Sequence, residues 1–306
     1  MKKSFAYKAK AKCRRQEFSA WTLLPGGLHV KAALLGGSKS YLVAKLNTNF
    51  PGNRTGPENL PTIQGLIVLC DGDNGIPLAV LDSIDITIKR TAAASAVAAK
   101  YLARQDSAIL TICGCGSQAR AQLSALEAVL SLEKIYAFDT REEAARNFAE
   151  VAGKELRGAI EPVSDLSSAL RKSDVCITCT TAEHFFVRKR DVRPGTFIAA
   201  VGADNPHKQE IDPALMASAK VVTDSLEQSC AIGDTHHAIA HGLMRKEDVY
   251  AELGEIVAGR KPGRVSGEEI IVFDSTGIAF EDAVAAVMVY KQAMRVNNRS
   301  RFDFAA

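Results

Sequence analysis

The chain has 306 residues, of which 47% are apolar and 24% charged, and its formal net charge is +3. One hydrophobic core rarely serves so long a chain, so two lobes are expected in a globular protein of ordinary composition. The net charge is too small to indicate nucleic acid or an anionic membrane as a partner.

The N-terminal segment is basic, with its lysines and arginines clustered between Lys2 and Arg15, and it contains no apolar stretch. We interpret it as a solvated terminus, with a nucleic-acid-binding arm as the alternative, and we expect no signal peptide. No run approaches the ~20 apolar residues that span a bilayer. The expected location is the cytoplasm, with neither nucleic acid nor membrane as a partner.

Short runs of β-branched and aliphatic residues dominate residues 1–88. They predict strands at Leu28–Leu35, Ser40–Asn47, Gly65–Asp71 and Ala79–Ile88, with a hairpin turn at Asp73-Asn74-Gly75. The alanine-rich segment Arg90–Ala103 follows, and it predicts a helix that crosses from this β-rich lobe to the next.

From Ser107 onward, strand and helix patterns alternate. The predicted strands are Ala108–Cys113, Lys134–Phe138, Asp174–Cys179, Thr196–Val201, Lys220–Thr223 and Ile270–Phe273. The predicted helical segments are Gln118–Leu132, Arg141–Ala152, Ser167–Ser173 and Ile278–Met294. This alternation is typical of an α/β fold with a parallel sheet and right-handed crossovers.

Two cysteine pairs, Cys113-x-Cys115 and Cys176-x-x-Cys179, lie inside apolar strand-like runs. No second pair or histidine cluster stands at the spacing of a zinc site. We therefore expect reduced, buried thiols and no bound metal.

A glycine motif, Gly114-x-Gly116-x-x-Ala119, separates a predicted strand from a predicted helix. In that order the first glycine permits a tight turn, the second lets the backbone approach a pyrophosphate, and the small third residue lets helix and strand pack closely. Ser117 and Gln118 then belong to the helix N-terminus that faces the phosphates. The motif predicts a Rossmann dinucleotide-binding domain, with a purely structural turn as the alternative.

Asp139 closes the next predicted strand, 25 residues after Gly114. An acid at this spacing accepts hydrogen bonds from the adenosine ribose and repels a 2′-phosphate, which favours NAD(H). Thr140 and Arg141 follow in the same cofactor-binding segment, and Arg141 would accommodate the phosphate of NADP(H), the alternative cofactor. Other interpretations are a loop cap for Asp139 and a solvated side chain for Arg141.

Several further stretches carry a family resemblance, in addition to the glycine loop Gly114–Gln122. They are Ala44-Lys45-Leu46, Asn49–Asn53, Lys89–Ser95, Val201–Glu210, Ala251–Glu255 and Phe273–Gly277. From about residue 40 to about residue 294 the chain resembles the ornithine cyclodeaminase/mu-crystallin family. The resemblance implies hydride exchange between a nicotinamide and the Cα of an amino or imino acid. The family's activities include ornithine or lysine cyclodeamination, alanine dehydrogenation and reduction of cyclic ketimines.

The resemblance also implies three residues that handle the substrate. Lys45 matches the active-site lysine, whose ammonium grips a carboxylate or polarises the imine. Arg90 matches the carboxylate-binding arginine, whose planar guanidinium suits a bidentate pair. Asp204 matches the catalytic aspartate, which hydrogen-bonds the substrate nitrogen and relays a proton.

Further cofactor-binding residues are expected at the ends of later strands. Ser275, Thr276 and Gly277 match the segment that lines the nicotinamide, with a plain turn as the alternative. The remaining candidates are Thr180 and Thr181, which could instead be structural, and Val201 and Gly202. The roles of His207, His236 and His237 stay open.

The chain departs from the family's pattern before Lys45. The segment Trp21–Leu35 lacks the usual arginine and Met-Pro step, so Lys31 is either a second carboxylate anchor or a solvated lysine. Cyclodeaminases carry a glutamate about thirteen residues before the lysine, and counting back gives Ala32. We therefore favour reduction of a small cyclic imino acid, such as 1-pyrroline-2-carboxylate or 1-piperideine-2-carboxylate. Alternatives are a cyclodeaminase, an alanine dehydrogenase-like enzyme and a non-catalytic, mu-crystallin-like binding protein.

These observations divide the chain into three parts. Residues 1–104 form a substrate-binding and dimerisation lobe with the crossover helix, residues 105–277 form the Rossmann domain, and residues 278–306 form a C-terminal helix that returns to the first lobe. The resemblance implies that the β-rich lobe pairs with a second subunit in a homodimer.

Overall fold

The computed structural model describes residues 13–23, 26–54, 57–58, 60–297 and 300. The basic residues between Lys2 and Lys12 lie outside this description. Within it, the chain forms an antiparallel sheet and a parallel sheet. No helix in the described ranges is both long and apolar enough to cross a bilayer.

The antiparallel sheet of the described residues has five strands in sequence order. They are β1 (Cys13–Leu23), β2 (Gly26–Leu35), β3 (Tyr41–Asn49), β4 (Ile63–Asp71) and β5 (Pro77–Asp82). The predicted hairpin joins β4 to β5, where the N–H of Gly75 donates to the carbonyl of Asp71 over 2.9 Å. Gly75 has φ of +79°, a left-handed conformation that glycine adopts without strain.

The parallel sheet of the described residues has eight strands in the order β12-β11-β13-β10-β9-β6-β7-β8. Strand order reverses beside β6, which creates the crevice at the carboxyl ends where Rossmann domains bind dinucleotides. The strands are β6 (Ile109–Cys113), β7 (Lys134–Phe138), β8 (Ala159–Pro162), β9 (Val175–Thr178), β10 (Phe197–Ala200), β11 (Lys220–Thr223), β12 (Ala251–Glu252) and β13 (Ile271–Asp274).

Helices connect the strands and join the two sheets. In the described residues they are α1 (Ile84–Leu102), α2 (Ser117–Leu126), α3 (Glu142–Ala152), α4 (Leu166–Leu170), α5 (Pro213–Met216), α6 (Leu226–Ile232), α7 (Asp234–Ala240), α8 (Leu253–Val257) and α9 (Ala279–Val296). The alanines of α1 are largely buried, and their small side chains let α2 approach closely. Helix α9 returns to the antiparallel sheet and packs on β2 and β3, so the β-rich lobe is completed by the C-terminal helix.

The antiparallel sheet has two faces of different character. The inner face, which α9 covers, carries buried residues at alternate positions: Lys31, Ala33 and Leu35 on β2, and Tyr41, Val43 and Lys45 on β3. The outer face carries exposed apolar side chains, namely Leu42, Leu46, Leu66 and Val80. Side chains of a strand alternate between faces, so the two lysines lie among inner-face core residues.

The predicted strand Ala79–Ile88 is wrong beyond Asp82. Asp82 Oδ1 accepts a hydrogen bond from the N–H of Ile84 over 2.8 Å, and α1 begins at Ile84. The β-branched residues after Ser83 favour a strand locally, but Asp85 lies in the first helical turn, where an acid is favourable, and Ile86 is buried. The predicted helix Gln118–Leu132 also ends earlier, at Leu126.

Candidate active site

The glycine loop follows β6 and begins α2. Gly114 has φ of +92°, and a Cβ there would lie 2.9 Å from the carbonyl oxygen of Cys179, so only glycine fits. A Cβ on Gly116 would meet nothing within 4 Å, which leaves open space over the helix N-terminus. Ala119 is fully buried. A pyrophosphate requires a tight turn at the first glycine, open space at the second and a small residue at the third position. Gly114, Gly116 and Ala119 meet these requirements, so the loop fits a dinucleotide.

Asp139 lies just after β7 and caps this loop. Its Oδ2 accepts from the N–H of Cys115 over 2.9 Å, and its Oδ1 accepts from the N–H of Arg141 over 3.0 Å. Thr140 is exposed beside it, and the Arg141 side chain is 73% exposed. The cap that the sequence left as an alternative is therefore present, and ribose binding by Asp139 stays a prediction.

A buried carboxyl group, Glu210, holds the ends of β9 and β10 together. Its Oε1 accepts from the N–H and the hydroxyl of Thr180, both over 2.7 Å, and its Oε2 accepts from Thr178 Oγ1 over 2.6 Å and from the N–H of Gly202 over 2.9 Å. Burial raises the pKa of Glu210, and these hydrogen bonds oppose the rise. The structure thus gives Thr180 and Gly202 a structural partner, whereas Thr181 is exposed. The sequence analysis did not single out Glu210.

Another buried acid, Asp224, holds the segment expected to line the nicotinamide. It accepts from the N–H of Gly277 over 2.6 Å, from Thr276 Oγ1 over 3.1 Å and from Ser275 Oγ over 3.3 Å. Gly277 has φ of +75°, and a Cβ there would lie 2.4 Å from Arg90 Nη1. The segment is thereby fixed directly against Arg90.

Lys31 and Lys45 lie directly opposite one another on β2 and β3. The Lys31 ammonium donates to the carbonyls of Thr276 over 3.1 Å and Gly277 over 2.5 Å. The Lys45 ammonium lies 2.8 Å from Asp282 Oδ2. Lys31 is therefore a buried lysine that contacts the expected nicotinamide segment, which excludes the solvated alternative.

Arg90 projects from α1 toward the same place and is also buried. Its Nη1 donates to Glu281 Oε2 over 2.8 Å, and its Nε lies 3.0 Å from Asp282 Oδ1. Both acids belong to the first turn of α9. The structure thus gathers Lys31, Lys45 and Arg90 around two carboxylates that the sequence analysis did not identify.

Burial dominates the titration of this cluster. Burial lowers the pKa of Lys45 to about 7, with Asp282 opposing the shift and Arg90 and Lys31 reinforcing it. Burial raises the pKa of Glu281 to about 7, against the attraction of Arg90. Burial also acts to raise the pKa of Asp282, but Arg90 and Lys45 outweigh it, so that pKa is lowered. Asp282 is consequently the constant anion of the cluster.

Asp204 follows β10 and is half-buried. Its Oδ1 accepts a hydrogen bond from the Lys208 ammonium over 2.8 Å. Burial acts to raise the pKa of Asp204, but Lys208 and, more weakly, His29 and Lys31 outweigh it and lower that pKa. Since His29 and Lys31 lie on β2, Asp204 is within electrostatic reach of the antiparallel sheet. The structure thus brings Lys45 and Arg90 together around Asp282, whereas Asp204 contacts Lys208 and is linked to β2 by electrostatics.

The histidines left open occupy different settings. His237 shares a hydrogen bond of 2.9 Å between its Nε2 and the carbonyl of Lys208, so it supports the backbone of the residue that pairs with Asp204. His236 Nδ1 lies 3.2 Å from the carbonyl of Cys230, and His207 is exposed. A histidine that the sequence did not flag, His29, stands two residues before Lys31 on β2.

The cysteines around the glycine loop are free thiols. Cys179 Sγ donates to the carbonyl of Gly114 over 3.2 Å. Burial raises the pKa of Cys115 to about 12 and that of Cys179 well above its usual range. Such thiols remain protonated at neutral pH and are poor nucleophiles.

Ala32 does not occupy the position that the sequence analysis gave it. It pairs with Ala44 across β2 and β3, and its side chain points to the outer face, away from Lys31 and Lys45. An acid at position 32 would not reach the site. The positions of β2 that share the face of Lys45 around this point are His29, Lys31 and Ala33, and none of them is a carboxylate.

The chain is similar in sequence to a known protein family and to several named enzymes. The model of the ornithine cyclodeaminase/mu-crystallin family matches residues 17–297. Alanine dehydrogenase of Archaeoglobus fulgidus is 40% identical over 86% of this chain and 80% of its own length. Iminosuccinate reductase of Paracoccus denitrificans is 37% identical over 88% and 80%. Delta(1)-pyrroline-2-carboxylate reductase of Bacillus cereus is 35% identical over 79% and 75%.

Two solved structures share the whole architecture. An archaeal alanine dehydrogenase dimer with bound NAD superposes with a TM-score of 0.93, at 37% identity over 99% of this chain and 92% of that one. Delta(1)-pyrroline-2-carboxylate reductase of Thermococcus litoralis, in complex with NADH and L-proline, gives 0.94 at 34% identity, over 98% and 93%. With the glycine loop, the lysine and arginine and the family model in agreement, this chain belongs to the ornithine cyclodeaminase/mu-crystallin family.

Proposed function

We propose that the protein reduces a small cyclic imino acid of the 1-pyrroline-2-carboxylate or 1-piperideine-2-carboxylate type, with NAD(H) as the favoured cofactor. One observation carries the proposal: the buried cations Lys31 and Arg90 lie against the segment Thr276-Gly277, and buried Lys45 stands opposite Lys31 on the next strand. An anionic substrate held by these cations would rest beside the segment expected to line the nicotinamide. Relatives named for imino-acid reduction, and a relative solved with NADH and L-proline, support it.

The reaction joins three components: the imine, one hydride and one proton, which together give the amine. The bound nicotinamide supplies the hydride to the imine carbon. Lys45 and Arg90 would grip the substrate carboxylate and fix the ring at near-attack geometry. The loop after β6 and Asp139 would hold the adenosine half of the cofactor.

Asp204 would act on the substrate nitrogen. Its lowered pKa and its contact with Lys208 keep it ionised at neutral pH. An ionised carboxylate accepts a hydrogen bond from a protonated imine nitrogen and stabilises its positive charge. Protonation of the imine makes its carbon more electrophilic, so Asp204 would favour the species that accepts hydride.

The nearest competing functions are alanine dehydrogenation and cyclodeamination. The first is favoured by the 40% identity to alanine dehydrogenase. The second needs an anchor for the distal amine of ornithine or lysine, and His29, Lys31 and Ala33 offer none on β2. A cyclic imino acid needs no such anchor, since its nitrogen is already within the ring.

A substrate panel separates these functions. The purified protein would be assayed for NADH and NADPH oxidation with 1-pyrroline-2-carboxylate, 1-piperideine-2-carboxylate, pyruvate plus ammonia, and oxaloacetate plus ammonia, and for ammonia release from ornithine with NAD+. We expect the highest kcat/KM for a cyclic imino acid with NADH. Ammonia release without net NADH would instead indicate cyclodeamination, and no oxidation with any imino acid would refute the proposal.

We also propose that the outer face of the antiparallel sheet binds a second copy of the chain. Its exposed apolar residues Leu42, Leu46, Leu66 and Val80 are between 37% and 58% exposed. Contiguous apolar surface of this kind is characteristic of an interface. The archaeal alanine dehydrogenase relative is a dimer, which supports a dimeric state for this chain.

A further inference from the structure

One carboxylate, Asp282, stands between the two cations expected to grip the substrate. Its Oδ2 lies 2.8 Å from the Lys45 ammonium and its Oδ1 lies 3.0 Å from Arg90 Nε. All three side chains are at most 6% exposed. Water therefore screens these contacts little, and each charge depends on its protein partner.

The three cations come from separate elements: Lys31 from β2, Lys45 from β3 and Arg90 from α1. Lys31 and Lys45 are directly opposite in the sheet, where two like charges destabilise the pairing. The Lys31 ammonium donates to two carbonyls and lies 5.3 Å from the centre of the Phe18 ring, and none of these contacts is an ion pair. Without an anion, Lys45 would be repelled by Lys31 and by Arg90 at once.

We propose that Asp282 is a positioning residue, whose two oxygens bridge Lys45 and Arg90 and set the spacing at which both cations grip one substrate carboxylate. This inference rests on the proposed function for the identity of the substrate, and on the geometry alone for the bridge. Asp282 contacts Lys45 and Arg90 directly, so it would act on the substrate through these two cations.

The neighbouring acid Glu281 makes different contacts. It contacts Arg90 Nη1 over 2.8 Å, whereas Asp282 is the acid that contacts Lys45. Of these two adjacent acids, Glu281 therefore pairs with Arg90, whereas Asp282 pairs with both Arg90 and Lys45. This division supplies a matched comparison within one helical turn.

The pKa of Lys45 depends on whether Asp282 bridges Lys45 and Arg90, so the titration of Lys45 can detect the bridge. The charged and titratable groups around it are His29 and Lys31 on β2, Arg90 on α1 and Asp282 on α9. Burial lowers the pKa of Lys45 to about 7, and among these groups Asp282 is the one that raises it. Removal of the Asp282 charge should therefore move that pKa further down, so that Lys45 loses its proton below neutrality.

The test compares Asp282→Asn with Glu281→Gln in the full chain. Lysine labelled with 13C at Cε reports the Lys45 titration by NMR, with its signal assigned by loss in Lys45→Arg. We expect the Lys45 midpoint to fall by about one pH unit or more in Asp282→Asn and to stay in place in Glu281→Gln. An unchanged midpoint in Asp282→Asn would overturn the bridge, whether or not the protein reduces imino acids.

Kinetics then separate positioning from a merely structural role. In Asp282→Asn the KM for the imino acid should rise about tenfold or more, with a smaller change in kcat, and the pH profile should shift to lower pH. If Asp282→Asn does not fold, Asp282→Glu is measured instead. This variant keeps the negative charge, so the Lys45 midpoint should stay near that of the wild type. Its longer side chain should displace both cations and raise KM. A KM equal to that of the wild type in the folded variant would overturn the proposal.

Discussion

Lys45 is the cation of the site whose charge changes near physiological pH. Burial lowers its pKa to about 7, so its ammonium form is complete below that pH and is lost as the pH rises through it. The carboxylate of an imino or amino acid stays ionised across the same range. Binding of the substrate carboxylate to Lys45 should therefore weaken above about pH 7, because Lys45 loses its charge there and the carboxylate does not.

The loss of the Lys45 charge above about pH 7 predicts weaker substrate binding at high pH. The dissociation constant of L-proline for the protein saturated with NAD+ should rise about tenfold per pH unit above about pH 7, as isothermal titration calorimetry can measure. Lys45→Arg should abolish the rise, since arginine stays protonated. Glu281→Gln removes the acid of the cluster whose pKa is about 7 and should leave the rise in place. A flat profile for the wild type would contradict the role given to Lys45.

Lys45, Arg90 and Asp204 were predicted from the sequence, but the acids that contact Lys45 and Arg90 were not. Asp282 and Glu281 stand in the first turn of a predicted helix, where an acid ordinarily serves the helix dipole. Their partner Arg90 is 191 residues from Glu281 along the chain, so no local spacing reveals the pair. Ala32 shows the opposite error, because a count of residues ignored the face on which each side chain of the strand projects.

The glycine loop is the element on which we expect cofactor binding to depend, and its two glycines should behave differently. Gly114→Ala meets backbone at 2.9 Å in a conformation with φ of +92°, so it should lower the free energy of unfolding by about 1–3 kcal/mol. Gly116→Ala has open space and extended backbone, so stability should change by about 0.5 kcal/mol at most. The added methyl should nevertheless obstruct the pyrophosphate.

Thermal unfolding and NADH fluorescence titration check this pair. We expect a lower Tm for Gly114→Ala, and a wild-type Tm with at least about tenfold weaker NADH binding for Gly116→Ala. Equal NADH affinity in Gly116→Ala and the wild type would show that the dinucleotide does not lie on this loop.

Most elements of the parallel sheet follow from the alternation of strand and helix patterns, because buried strands are continuous apolar runs. The short strands β8 and β12 were not predicted, and neither was β1. Local propensity also misplaced the start of α1: the β-branched residues after Ser83 favour a strand, but burial of Ile86 against the core outweighs that preference. Tertiary packing, which a single sequence does not display, decides such boundaries.

At the scale of the whole molecule, the site depends on both sheets. The cations come from β2, β3 and α1, the acids come from α9, and the glycine loop belongs to the parallel sheet. Helix α9 follows directly on the segment Ser275-Thr276-Gly277 and packs on β2 and β3. The expected nicotinamide segment and the cations proposed to hold the substrate are thereby contacted by one continuous stretch of chain.

The proposed dimer can be tested by one substitution on the outer face. Leu46→Glu places a charge where Leu46 is 37% exposed, next to Leu66 across β3 and β4. Light scattering after size exclusion should show a dimer for the wild type and a monomer for the variant, because an unpaired charge is costly in an interface. Val289→Glu, on the exposed face of α9, is the control and should leave the mass unchanged. A monomeric wild type would refute the assembly.

The central claim is hydride transfer from the nicotinamide to the Cα of a cyclic imino acid. NADH deuterated at the transferring position of the nicotinamide, incubated with the protein and 1-pyrroline-2-carboxylate, tests it directly by mass spectrometry and NMR of the product. We expect proline that carries one deuterium at Cα, and greatly reduced product with Lys45→Ala. Proline without deuterium, or no proline at all from the wild-type protein, would contradict it.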